Sequence, residues 1–222
     1  MLLAAASSSL GEPAASGHEF VHLDGKAASR LLIHTIKPEY PPIAKVNYIQ
    51  GRVKIDVAVN AKGRVIEAHV IQGEALLAAA ALQSVREWKY RPFVDSGSPT
   101  PFRTVVDINF NLYAHRQSDL PMNPEEYFEK QVRPPEVISG SGNEFPSGTV
   151  QLRVLVGAKG QVLDSVPLGN AGASRHFARK NVRHWKFRAA RWGALAIPWY
   201  LVVRVPIEQP LKVREGKNSD TP

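Results

Sequence analysis

Apolar and polar residues alternate along Arg52–Asn60, with Val53, Ile55, Val57 and Val59 on one face and Lys54, Asp56 and Ala58 on the other. This period of two predicts a half-buried antiparallel strand. Asn60-Ala-Lys-Gly63 reads as a short hairpin loop with Gly63 in the left-handed position, and Arg64–Ile71 as the returning strand. From Glu74 to Glu87 the period turns helical: Leu77, Ala81 and Val85 are spaced by four, and Ala80 and Ser84 lie beside them. Glu74 sits favourably in the first turn. Trp88 closes the helix and opens an extended Trp-Lys-Tyr-Arg-Pro-Phe segment, and Asp95-Ser-Gly-Ser-Pro follows as a loop. A final strand, Phe102–Leu112, places Phe102, Thr104, Val106, Ile108, Phe110 and Leu112 on one face.

The same pattern returns. A shift that carries Gly51 onto Gly148 also carries Val53, Val57 and Val59 onto Val150, Val154 and Val156, and Ala61-Lys62-Gly63 onto Ala158-Lys159-Gly160. Ala81, Val85, Arg86 and Trp88 fall on Ala178, Val182, Arg183 and Trp185, and Val106 falls on Val203 after a compensated slip. A repeat of this size predicts a small domain used twice, each copy an α+β unit of hairpin, helix and one or two further strands. The expected organisation is a leader or disordered segment over residues 1–30, a first domain over 31–113, and a Pro/Gly-rich linker over 114–147. A second, diverged domain spans 148–210 and a disordered tail 211–222. Within the linker, Asn123-Pro124-Glu125-Glu126 resembles a helix start, predicting one short helix over Glu125–Gln131. Two domains imply two cores, so loss of Trp88 should unfold the first copy and spare the second.

Met1–Gly17 has a short apolar run and small residues suited to cleavage after Ala6 or Ala15, but no basic n-region. It reads equally as the end of a signal peptide or as an Ala/Ser tail. No stretch approaches the ~20 apolar residues of a membrane span.

Charge changes the picture more than composition does. From Gly51 to Phe110 eight Lys/Arg face six Asp/Glu, whereas from Gly148 to Ile207 ten face Asp164 alone, so the second copy carries the positive field. Arg175, Arg179, Lys180 and Arg183 line the helix face opposite Phe177, Ala178 and Val182. That face reads as solvated surface or as a contact for an acidic partner or anionic envelope surface. It has no nucleic-acid motif beside it. Cysteine is absent, the seven histidines show no ligand spacing, and neither a metal site nor a cofactor is expected. Ser141 lies in Gly-Ser-Gly without the Gly-x-Ser-x-Gly of a nucleophile turn. The residues point to no enzyme.

Pro38-Glu-Tyr40-Pro41-Pro-Ile-Ala44, then Ile49-Gln-Gly51-Arg-Val53, the Asn60-x-x-Gly63-x-Val65 turn, the helix, Trp88-x-Tyr90-x-Pro92 and a last strand ending in Phe110 follow in one order. That ordered set, with Tyr40, Pro41, Ala44 and Gly51 as its signature, closely resembles the TonB C-terminal domain from about Leu31 to Leu112. The second copy is similar to a diverged version without Tyr-Pro-x-x-Ala, because Phe145-Pro146 lies too close to Gly148.

The resemblance implies a periplasmic or cell-envelope module that binds an extended segment of an outer-membrane transporter, or another envelope protein, as an added strand. The docking edge it implies is Thr104, Val105, Val106, Asp107, Ile108, Asn109 and Phe110. A role as energy transducer in transmembrane transport would follow, although the membrane helix and long Pro-rich spacer of full transducers are not in this sequence. The contrasting expectation is a structural envelope scaffold or anionic-surface binder, and a homodimer stays open in either case.

Overall fold

The computed structural model describes residues 20–112, 124–140, 148–169 and 174–206. The leader over 1–17, Ser141, Phe145-Pro146 and the tail after Pro210 lie outside the described residues.

The chain opens with β1 (Val21–His22), α1 (Gly25–Leu31), β2 (Leu32–His34) and α2 (Pro42–Val46). The alternating hairpin forms β3 (Gly51–Val59) and β4 (Val65–Gln72), followed by α3 (Ala75–Val85). Short strands β5 (Lys89–Tyr90), β6 (Val94–Asp95) and β7 (Ser98–Pro99) lead into β8 (Phe102–Phe110). Between the units lie α4 (Pro124–Glu129), β9 (Val132–Arg133) and β10 (Glu136–Ser139). The second unit contains β11 (Thr149–Val156), β12 (Val162–Pro167), α5 (Ser174–Val182), β13 (Lys186–Arg188), β14 (Ala190–Trp192), β15 (Leu195–Ile197) and β16 (Trp199–Pro206). The fold is α+β, with small sheets and few helices. Among the described residues no helix is long and apolar enough to cross a membrane.

The first sheet runs β1-β8-β3-β4 and the second β12-β11-β16. Their central pairings share a register: Ile55 faces Val106 across β3 and β8, and Leu152 faces Val203 across β11 and β16. Both hairpin turns also use glycine for the same two reasons. Gly63 and Gly160 hold φ of +77° and +78°, and a Cβ there would lie 1.9 Å from the Tyr90 carbonyl oxygen and 2.1 Å from that of Phe187. An L side chain is excluded at both by backbone angle and by space.

Four expectations change. Residues 21–30, assigned to the leader, hold β1 and all of α1 but its last residue, and Ala28 is buried in the main core. The stretch read as an irregular linker supplies two strands: β9 pairs with β14 and β10 with β13. Their partners lie some fifty residues downstream, so no local periodicity announces them. The short helix covers Pro124–Glu129 rather than Glu125–Gln131, and its Phe128 packs on Trp192 and Trp199 at ring distances of 5.8 and 6.0 Å.

The fourth change concerns independence. Phe128, Leu155, Ala190 and Ile197 belong to the same apolar cluster as Val53, Ile55, Leu76 and Phe102, so the larger core spans both units. Only a smaller cluster around Val150, Leu152, Val154, Ala178 and Trp185 belongs to the second unit alone. This explains α3, where Leu76, Ala78 and Leu82 are buried as fully as Leu77, Ala81 and Val85. Its one side covers its own sheet, and its other side meets the second unit near β16. A helix sandwiched between two layers is apolar all round.

Candidate functional site

Strand β8 lies next to the outer edge of its sheet, with β3 as its full-length inner partner. On its outer side β1 pairs in parallel with Phe102 and Arg103. The Val21 N–H donates to the Pro101 carbonyl at 3.2 Å and the Leu23 N–H to the Arg103 carbonyl at 2.9 Å. These two bonds fix the parity of the strand: odd-numbered residues turn their backbone groups outward. The N–H and C=O of Asp107 and Asn109 therefore face away from β3, and no described strand pairs with them. Side chains alternate accordingly. Phe102, Thr104, Ile108 and Phe110 are buried, Val105 and Val106 are half-buried, and Asp107 and Asn109 are exposed.

Tyr40, Pro41, Ala44 and Gly51 brace the far end of this edge. Pro41 and Pro42 start α2, whose Ala44 is fully buried and accepts the Ile49 N–H through its carbonyl at 2.9 Å. The Tyr40 hydroxyl donates to the Ile49 carbonyl at 2.7 Å, and its ring meets Phe110 edge-on at 5.3 Å. Burial pushes the Tyr40 phenol above its ordinary pKa. Gly51, at φ +147°, then turns the chain into β3 opposite Phe110. The signature residues thus shape the end of β8 around Phe110.

The opposite edge of the first sheet, β4, is closed by the second unit. Asp164 on β12 is buried and accepts hydrogen bonds from the Val70 N–H at 2.7 Å, the Ser165 N–H at 2.8 Å and His69 Nδ1 at 2.8 Å. Arg179 Nη2 lies 2.5 Å from His69 Nε2. A guanidinium only donates, so Nε2 accepts and Nδ1 carries the proton given to Asp164. Arg153 donates to the Val70 carbonyl at 2.8 Å, Arg86 to the Leu163 carbonyl at 2.6 Å, and the Tyr200 hydroxyl to the Gly73 carbonyl at 3.2 Å. Side chains here cap exposed strand edges in place of a backbone ladder.

Of the four basic residues, Arg175, Arg179 and Lys180 lie on α5 and Arg183 just beyond it; Arg175, Lys180 and Arg183 are exposed, but Arg179 turns inward to His69. The inward stripe is Ala178, Arg179 and Val182, while Phe177 is 46% exposed. The single basic face is corrected on that point: the helix packs on its own sheet, and Arg179 reaches from it to His69 on β4. Burial lowers the Arg179 pKa, and Asp164 and Glu67 oppose that shift. The cavity of ≈ 750 Å³ at this seam is lined by Glu67, His69, Arg103, Arg175 and Arg179 among others. Arg103 bridges Asp56 and Glu67.

His69, Arg86 and Arg153 carry no sequence signal of this role. Asp164 does, as the lone acid among ten cations in its unit. Burial pushes the Glu67 carboxyl up, but the Arg103 hydrogen bond and charge, with His69 and Arg179, outweigh it and hold it below the ordinary value of 4.5. A depressed carboxylate stabilises the fold above its unfolded pKa and loses that contribution as pH falls through the folded one. Urea denaturation below about pH 4.5 should therefore show wild type losing stability more steeply than Glu67→Gln. Equal slopes would remove Glu67 from the acid response.

Small antiparallel sheets and few helices define the class of fold, α+β. Within it, residues 36–112 match the family model of the Gram-negative bacterial TonB protein C-terminal, and this segment is a TonB C-terminal domain. The protein TonB of Vibrio cholerae is 30% identical over 79 residues, which are 35% of this chain and 32% of that protein. The chain thus spans about a third of that relative's length. The solution NMR structure of the Pseudomonas aeruginosa TonB C-terminal domain is 22% identical, covering 38% of this chain and 88% of that one at a TM-score of 0.34.

Proposed function

We propose that this protein is a non-enzymatic, TonB-like protein of the periplasm or cell envelope that acts in transmembrane transport. It binds extended segments of outer-membrane transporters, or of other envelope proteins, by strand addition along Thr104–Phe110. The observation that carries the reading is the outward parity of Val105, Asp107 and Asn109 on β8. An added strand would complete a ladder that the sheet leaves open.

The two units are, in this reading, diverged copies of one domain, and only the first docks a partner. The shared register makes Pro206 the counterpart of Asn109, and proline has no N–H to donate. The second unit acts instead as a brace that closes β4, while the outward groups of Asp107 and Asn109 on β8 stay open for a partner.

The test titrates the full chain with synthetic peptides copying transporter N-terminal segments, followed by amide chemical shifts. Shifts should cluster on Thr104–Phe110, and Asp107→Pro, which removes one outward donor, should weaken binding at least about tenfold with the rest of the spectrum intact. Binding unchanged in Asp107→Pro, or shifts gathered on Trp199–Pro206, would defeat this reading. Shifts on Arg175, Lys180 and Arg183 that fade with salt would instead favour the anionic-surface role.

A further inference from the structure

We propose that Phe20–Leu31 is a built-in occupant of the docking edge: it pairs in parallel with the first part of β8, and a partner strand must displace it. This inference rests on the strand-addition reading of β8 and adds the orientation and chemistry of the partner.

The occupant is short for a structural reason. Asp24 accepts the Ala27 N–H at 2.7 Å and so starts α1, which ends the strand after Leu23. Gly25 then sits against the edge, where a Cβ would lie 3.3 Å from the Val105 carbonyl oxygen. The chain thereby covers Phe102–Val105 and leaves the outward groups of Asp107 and Asn109 without a partner strand. An incoming segment long enough to pair with all of them gains bonds that β1 forgoes.

The cover is also loosely attached. Helix α1 has seven residues, too few to persist alone, and Ala28 is its one fully buried side chain. A cavity of ≈ 310 Å³ lies beneath it, bounded by Ala28, Ser29, Trp88, Tyr90 and Val105.

β1 shows what the edge accepts. Val21 and Leu23 are half-buried and His22 between them is exposed, so aliphatic side chains enter at alternate positions. Phe20 lies under the Arg103 guanidinium at 5.2 Å, and Asp56 and Glu67 hold that guanidinium in place. The partner is therefore an extended peptide running parallel to β8, with an aromatic residue followed by alternating aliphatic ones.

The experiment uses the full chain and a fluorescent peptide copying residues 18–24, His-Glu-Phe-Val-His-Leu-Asp. Val21→Pro with Leu23→Pro removes both N–H donors of the cover. Fluorescence anisotropy should show the variant binding this peptide at least about tenfold tighter than wild type, because the competing segment is released. Amide shifts on binding should fall at Arg103, Val105 and Asp107. Gly25→Val, which drives a side chain into the Val105 carbonyl, should act in the same direction and covers the case in which the double variant misfolds. Equal affinity of wild type and both variants would overturn the proposal. Transporter peptides separate the two ideas: if they bind all forms equally, only the cover is lost, and if they bind none, strand addition itself fails.

Discussion

Asp164→Ala is expected to destabilise the whole chain by about 3–5 kcal/mol, the range for removing one partner from a buried charged network. The carboxylate is only 4% exposed and satisfies the Val70 N–H, the Ser165 N–H and His69 at once. Alanine leaves these donors buried and unpaired, and it deprives Arg179 of the charge that offsets its burial. Equilibrium urea unfolding would measure the loss against a stability of about 5–15 kcal/mol for a protein of ordinary size. Pairing it with His69→Ala should give less than the sum of the single losses, because both remove the same contact. A loss below about 1 kcal/mol would mean that the seam between the units does not depend on this network.

Leu155→Ala should cost about 2–5 kcal/mol and, more tellingly, lower a single thermal transition shared by both units. Along β11, Val150, Leu152, Val154 and Val156 face their own helix, while Leu155 points the other way into the core built on the first unit. It is 1% exposed, so its truncation leaves a cavity at the junction. Trp88→Ala should behave alike. The Trp88 indole is half-buried and donates to the Ile36 carbonyl at 3.0 Å, and its loss loosens α3, on which the second unit rests. Calorimetry showing one transition lowered and another unmoved would restore the picture of two separate cores.

How far these results follow from the chain alone differs from element to element. Both hairpins, both glycine turns and the burial pattern of β8 are local: each depends on alternation, a positive φ or a capping side chain within a dozen residues. Tyr40, Pro41, Ala44 and Gly51 could be recognised as a set because their contacts to Ile49 and Phe110 stay within one unit. The proposed docking edge rests on the same local pattern, since Asp107 and Asn109 stand on the polar side of the last strand. What occupies that edge was not legible, because a two-residue strand at Val21–His22 has no period to detect.

The seam was decided by tertiary structure throughout. Arg179 belongs to a basic helix face by spacing, yet it lies against His69 because β12 brings α5 beside β4, and helical periodicity reports only that a face exists. Likewise β9 and β10 find partners in β14 and β13 across a long stretch of chain, at a loop-closure cost that no window of sequence expresses. The repeat in the sequence announced the hairpin and helix of each unit. Only the tertiary structure joined them, burying Leu155, Ile197 and Phe128 with the first unit's core, because apolar surface left by each small sheet is removed from water by the other.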